Sequence, residues 1–347
     1  MNCNYSFASD NTASVHPLIM KAIEEANRGQ YVSYGDDPFT EQAINKFKEV
    51  FGEDAEVFFT LTGTASNVLS IRAFTKPFNS VLCTDVSHIN IDECGAPENI
   101  AGIKLVQIKS ADGKLNPKMI APHLDVIGNE HHSQPRLISI TQTTEVGTVY
   151  TYNELKDLTD FAHNNGLYVH MDGARLANAA SYLNLSLKKL TYDAGIDVLS
   201  FGGTKNGMMI GEAVIIFNRE SNRNFIDSFK YIRKQSMQLL SKMRYISSQF
   251  IAYFENDLWL KNAEHANRMA QYLSNKLLEF YPDIEIMYKI EGNAVFVKIP
   301  ERIIDELKKD FYFYIWDSNG PVIRLMSSFE TNRSDIDNLV SRLKQLL

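Results

Sequence analysis

The chain predicts an α/β fold, with a mostly parallel sheet in a large domain and a smaller α+β domain at the C-terminal end. Three observations predict it. Seven short apolar runs, at 57–60, 81–84, 103–108, 137–141, 167–171, 198–201 and 213–217, read as strands. Helical patterns lie between several of them, as expected of a sheet covered on both faces. Beyond the last run the pattern changes to a long helical region and then to shorter strands.

Taken in order, residues 16–27 read as a helix. Pro17 suits its first turn, and Leu18, Ile19, Ala22, Ile23 and Ala26 make one apolar face. Thr40 is a candidate cap for a second helix with Ala43, Ile44, Phe47 and Val50 inward. The clearest helix between strands covers 154–164, with Leu155, Leu158, Phe161 and Ala162 on one face and Gly166 after its end. A long helical region runs from 222 to 280. Strands at 284–290 and 294–299 flank Glu291-Gly292-Asn293, strands at 311–316 and 322–326 follow, and a helix over 334–346 closes the chain. The large domain is expected over 16–250, and the small one over 1–15 and 251–347.

A chain of 347 residues can bury a sizeable core. A net charge of −7 argues against a nucleic-acid or membrane-surface partner. Three cysteines, Cys3, Cys83 and Cys94, without metal-site spacing, point to a reduced, cytoplasmic setting. Met1-Asn2-Cys3-Asn4-Tyr5 has no basic region followed by an apolar run, so no signal peptide is expected, and no apolar stretch is long enough to span a bilayer.

The chemistry gathers at strand ends. Lys205 stands just past the strand 198–201, in Ser200-Phe201-Gly202-Gly203-Thr204-Lys205. Asp172 ends the strand that begins at Leu167. A lysine and an acid at neighbouring strand ends suit pyridoxal phosphate, which needs an amine for its Schiff base and a carboxylate for its pyridinium nitrogen. Thr62-Gly63-Thr64-Ala65-Ser66-Asn67 forms a turn of small residues into a helix, where backbone N–H groups can hold a phosphate. Each feature also has a plainer reading: Asp172 capping the next turn, and the Thr62 turn as an ordinary N-cap. Arg175 suits a carboxylate or the cofactor, or else a surface salt bridge. Arg324 is a charge inside an apolar strand, either clamping a substrate carboxylate or pointing out from an edge strand. His88, after the strand 81–84, could stack on a flat cofactor and move a proton. His131 and His132 could reach a site or be solvated loop residues. His16, His88, His131, His132, His163 and His170 are scattered without ligand pairs at helical spacing, so no metal is expected.

These segments together resemble the low-specificity threonine aldolases of the aromatic β-eliminating lyase/threonine aldolase superfamily. The similar runs are Phe7-Ala8-Ser9-Asp10-Asn11, Tyr34-Gly35-Asp36-Asp37-Pro38, Thr62-Gly63-Thr64-Ala65-Ser66-Asn67, His170-Met171-Asp172-Gly173-Ala174-Arg175 and Thr204-Lys205. They occur in family order over most of the chain. The resemblance implies the fold type I architecture of pyridoxal-phosphate enzymes and cleavage of β-hydroxy-α-amino acids, of threonine, allo-threonine or phenylserine type, to glycine and an aldehyde. It implies that Gly63 and Thr64 bind phosphate, His88 stacks on the ring, Asp172 pairs with its nitrogen and Lys205 carries it. Ser9 and Arg324 would bind the substrate carboxylate, with Arg175 nearby. Tyr34 would lie near a site shared between subunits, Arg233 and Lys234 would reach a phosphate across the interface, and the enzyme would be a homodimer or homotetramer. His88, or His131 or His132 through a water, would take the β-hydroxyl proton. The chain departs from the family after the strand 137–141, where Thr141-Gln142-Thr143-Thr144-Glu145-Val146-Gly147 replaces an Asn-Thr-His-Asn-type loop. Two other readings stay open: a β-eliminating lyase or other amino-acid enzyme using the same cofactor, and a small-ligand binding protein without catalysis. The chain lacks the Gly-x-Gly-x-x-Gly turn of a dinucleotide site.

Overall fold

The computed structural model describes residues 6–280, 282–317 and 320–347. Residues 1–5, with Cys3 and the segment read above for a signal peptide, lie outside the described residues. Among the described residues, seven strands form one sheet: β1 (Ala55–Thr60), β2 (Asn79–Thr84), β3 (Lys104–Ile108), β4 (Gln134–Thr141), β5 (Tyr168–Gly173), β6 (Val198–Gly202) and β7 (Glu212–Phe217). Their order is β1-β7-β6-β5-β4-β2-β3. Only β7 runs against its neighbours, β1 and β6, so the sheet is mostly parallel. Every residue of β2, β6 and β7 is buried. Continuous apolar runs, rather than alternating ones, are what a sheet covered on both faces requires.

Helix α1 (Pro17–Ala26) starts on His16, whose Nδ1 accepts the Leu18 N–H at 3.2 Å. Helix α2 (Pro38–Phe51) is capped by Asp37, whose Oδ1 accepts the Thr40 N–H at 2.9 Å. Thr40 is therefore inside the helix and is not its cap; proline at the first helical position places the cap one residue before it. Helix α3 (Gly63–Phe74) is capped by Thr62 and buried along most of its length, since it lies between the sheet and other helices. One face of the sheet carries an aromatic cluster in which Phe47 of α2 meets Phe250 and Phe254 at 4.9 Å between centroids.

The long helical region is three helices, Arg223–Gln235, Arg244–Phe254 and Leu258–Leu277. Left-handed backbone breaks it at Met237 (φ 64°) and at Asn256 and Asp257 (φ 51° and 55°), and Asn and Asp tolerate that conformation best after glycine. The last of these helices belongs to two cores. Leu258, Trp259 and Ala263 pack with the large sheet, while Met269, Ala270, Leu273 and Leu277 pack with the C-terminal unit.

That unit holds a four-stranded antiparallel sheet of order β10-β11-β9-β8, with β8 (Glu285–Ile286), β9 (Ala294–Lys298), β10 (Tyr314–Asp317) and β11 (Val322–Met326). The strand expected over 284–290 shrinks to two residues. Its inward–outward alternation is present, but β8 is an edge strand and leaves β9 after one further hydrogen bond, Met287 N–H to Phe296 O. The chain's start is tied to the same unit: the Phe7 N–H donates to Tyr312 O and the Met326 N–H to Phe7 O, both at 2.8 Å. Ser9, Asp10 and Asn11 are thereby carried to the edge of the large sheet. Among the described residues, no helix is long and apolar enough to cross a membrane.

Candidate active site

The C-terminal ends of β1, β2, β4, β5 and β6 share one edge with the start of β7, and ligands of such sheets bind there. Two cavities open at this edge. One, of about 420 Å³, is lined by Thr62, Gly63, Thr64, Asp172, Lys205 and Glu212 among others. The other, of about 610 Å³, is lined by Ser9, Arg175, Arg324, Tyr314 and Trp316 with others. Asn11, His88 and Lys205 line both, so they form the partition between the two.

In the first cavity, Lys205 sits in a short turn, Thr204–Asn206, directly after β6. Burial and then Arg175 lower the pKa of its amine, against the pull of Asp10 and Asp172. Asp172 is buried at the end of β5. Its Oδ1 accepts the Ala174 N–H at 2.9 Å and its Oδ2 accepts Asn67 Nδ2–H at 2.8 Å. Burial works against its charge, but Lys205, His88 and these hydrogen bonds outweigh it and hold the carboxyl below the ordinary carboxylate value. Opposite them is the N-terminus of α3. A side chain added at Gly63 would meet nothing within 4 Å, so the backbone there is open to a ligand. Ser66 also lines the cavity, with its Oγ 2.7 Å from Thr60 Oγ1. An amine, a fixed carboxylate and an anion-binding helix end around one cavity fit pyridoxal phosphate at its aldehyde, ring nitrogen and phosphate.

The second cavity holds two guanidinium groups in different states. Arg175 is committed within the chain: its Nε donates to Asp10 Oδ2 at 2.7 Å and its Nη2 to Asp10 Oδ1 at 2.9 Å. Arg324 projects from β11, an interior strand, so the edge-strand reading falls. Its Nη2 donates to Ala8 O at 3.1 Å, and its guanidinium lies 5.4 Å from the Tyr314 ring centre and 5.7 Å from that of Trp316. Its Nε is buried without a partner. Ser9 Oγ accepts the Asn11 N–H at 3.2 Å.

His88 opens a helical turn after β2. Its backbone N–H donates to Glu145 Oε1, and its Nδ1 lies 2.9 Å from Glu93 Oε1. The hydrogen bond to Glu93 raises its pKa above the usual histidine value, against burial. The ligand atoms of His88, Glu93 and Asp172 lie within 4.8 Å of one another, a donor set that could take a cation. His88 Nδ1, Glu93 Oε1 and Asp172 Oδ2 already bond one another or Asn67 Nδ2, while Glu93 Oε2 and Asn67 Oδ1 are buried without a partner.

Several expected site residues lie elsewhere. His131 and His132 are exposed in the turn before β4 begins, at the opposite edge of the sheet, and this removes both as a base within their own chain. Arg233 hydrogen-bonds Phe59 O at 3.4 Å, and Lys234 Nζ lies 4.9 Å from the Tyr34 ring centre; none of these three side chains lines either cavity. His170 is buried between Ser139 and Ser200, and burial pushes its pKa down to about 4. Asp10, Asn67, Glu93, Glu145 and Glu212 are site residues to which the sequence by itself gives no individual role. A buried arginine's need for an anionic partner was the one signal pointing to Asp10.

The family model for beta-eliminating lyases matches residues 6–300. The chain is 40% identical over 343 residues to a low specificity L-threonine aldolase of Pseudomonas sp. strain NCIMB 10558, covering 98% of this chain and 97% of that one. A low specificity L-threonine aldolase of Pseudomonas aeruginosa is 39% identical over the same shares. A solved structure of Leishmania major threonine aldolase superposes with a TM-score of 0.92 at 32% identity, covering 99% of each chain.

Proposed function

Because the chain belongs to the beta-eliminating lyase family, we propose that it is a carbon–carbon lyase of threonine aldolase type. It cleaves β-hydroxy-α-amino acids to glycine and an aldehyde, with pyridoxal 5′-phosphate as cofactor. The observation that carries this reading is the pair of cavities divided by Lys205 and His88, one suited to the cofactor and one to an amino acid.

When bound, pyridoxal phosphate supplies a protonated ring that takes up the charge left at Cα as the Cα–Cβ bond breaks. The chain's residues do the rest. Lys205 offers a buried amine of lowered pKa to the aldehyde. Asp172, fixed by Asn67 and Ala174, keeps a negative charge at the ring-nitrogen end. Thr62, Gly63 and Thr64 would hold the phosphate at the start of α3. Ser9 and Arg324 bind the substrate carboxylate, and Arg175, braced by Asp10, adds positive charge beside it. By fixing the carboxylate, this clamp would orient the substrate's Cα in the second cavity. His88 takes the β-hydroxyl proton as the carbonyl forms, and a proton returned to Cα completes glycine.

The protein acts in the cytoplasm as a homodimer or homotetramer. Met209 and Ile210 support a shared site, because they line the first cavity yet are 45% and 41% exposed. Incubation with threonine, allo-threonine and phenylserine tests the reading. Release of glycine and aldehyde is expected; pyruvate and ammonia from serine-type substrates, without glycine, would assign β-elimination instead. Lys205→Ala is expected to abolish borohydride trapping of the cofactor.

A further inference from the structure

Glu93 has no part in the chemistry so far, yet its side chain is wholly buried beside the cofactor cavity. Its Oε1 lies 2.9 Å from His88 Nδ1 and accepts Asn67 Nδ2–H at 2.8 Å. The same Asn67 nitrogen donates to Asp172 Oδ2 at 2.8 Å. Asn67 thus ties the partner of His88 to the acid expected at the ring nitrogen. The backbone of His88 is held separately: its N–H donates to Glu145 Oε1 at 2.9 Å, and Glu145 accepts Thr141 Oγ1–H on that same oxygen at 2.6 Å.

We propose that Glu93 is a positioning residue that keeps the imidazole proton of His88 on Nδ1, leaving the Nε2 lone pair for the β-hydroxyl proton of the substrate. The inference rests on the reading of His88 as the base. An ionised carboxylate only accepts hydrogen bonds, so a bond to it places the proton on the nearer ring nitrogen. Two donors converge on Glu93 Oε1, which favours the ionised form there. Burial pushes the Glu93 carboxyl above the ordinary carboxylate value, and the bonds from His88 and Asn67 offset only part of that rise, to which Asp172 adds. The other charges near His88 are Asp172, which favours imidazolium, and Lys205, which opposes it; Asp92, Arg175 and Arg324 line the second cavity with it.

The test is made on holoenzyme with 15N-labelled histidine, the His88 signals being assigned with a His88→Gln control. Wild type is expected to show the neutral ring protonated on Nδ1. In Glu93→Gln, His88 is expected to titrate at lower pH, and kcat to fall about 10- to 100-fold with KM and the cofactor absorption band unchanged. Glu93→Asp should restore part of kcat. A wild-type ring protonated on Nε2 overturns the proposal, as does Glu93→Gln with unaltered kcat and His88 titration. If Glu93→Gln does not fold, the wild-type tautomer decides alone. Failure of wild type to release glycine would instead remove the proposed activity, while the tautomer would still report on Glu93.

Discussion

Asp10 and Arg175, 165 residues apart in the chain, meet in a two-pronged ion pair inside the protein. The pair joins the N-terminal segment to the loop after β5 and holds Arg175 in the second cavity. Burial pushes the Asp10 carboxyl up, but Arg175, with help from Lys205 and Asn293, lowers it overall. A depressed carboxylate stabilises the fold above its unfolded pKa, and that stability is lost as pH falls through the folded value. Asp10→Asn leaves the guanidinium buried without its counter-charge, which costs about 3–5 kcal/mol. Urea unfolding at pH 7 should show this loss, and the gap to wild type should narrow in acid. A gap that is flat with pH would mean that Asp10 acts through packing.

Glu212 carries the opposite sign. It begins β7 inside the cofactor cavity, and its Oε2 accepts the Gly203 N–H at 3.0 Å. Burial pushes its pKa up to about 7, against Thr204 and Lys205. An acid with a raised folded pKa contributes stability below its unfolded value, and loses it as pH rises through the folded one. Glu212→Gln keeps an acceptor for Gly203 and cannot ionise. It should match wild type near pH 4 and be more stable by about 1–2 kcal/mol at pH 8. A variant less stable than wild type at pH 8 would show that the charged form is needed there.

These two acids also mark where sequence reading stops. The large sheet was legible because its buried strands are near-continuous apolar runs, and Asp172 and Lys205 stood out because charges followed those runs. Glu93, Glu145 and Glu212 carry no such mark, since a glutamate in a loop or at a strand start looks the same whether solvated or buried. The Asp10 pairing depends on a contact across half the chain, which only the fold supplies. Asp37 could have been preferred to Thr40 as the cap of α2, because Pro38 marks the first helical position. The two-residue length of β8 could not, because an edge strand's alternation persists after its pairing ends.

Arg324 separates substrate binding from chemistry. Its guanidinium is held by Ala8 O and flanked by Tyr314 and Trp316, with other N–H groups left for a planar carboxylate. Lysine keeps the charge but loses the fork. Arg324→Lys should raise KM for β-hydroxy amino acids about tenfold or more, with a smaller change in kcat, as expected when binding common to ground and transition states is removed. An unaltered KM would place the substrate carboxylate elsewhere.

Two glycines distinguish a ligand contact from a packing contact. A methyl group at Gly202 would lie 2.8 Å from Ala174 Cα and 3.0 Å from Ala174 O. Both are backbone atoms of the loop between Asp172 and Arg175, so that loop must move. Gly202→Ala should cost about 1–3 kcal/mol of stability even without cofactor, and weaken cofactor binding through displaced Asp172. At Gly63 a methyl group meets no protein atom, and alanine suits a helix better than glycine. Gly63→Ala should therefore leave the melting temperature of the cofactor-free protein unchanged or slightly higher. It should still weaken pyridoxal phosphate, because the methyl group occupies space that the phosphate needs against the start of α3. Fluorescence titration of both variants with pyridoxal phosphate, beside thermal melts without it, reads the two effects apart. Wild-type affinity in Gly63→Ala would show that the phosphate does not sit at that helix end.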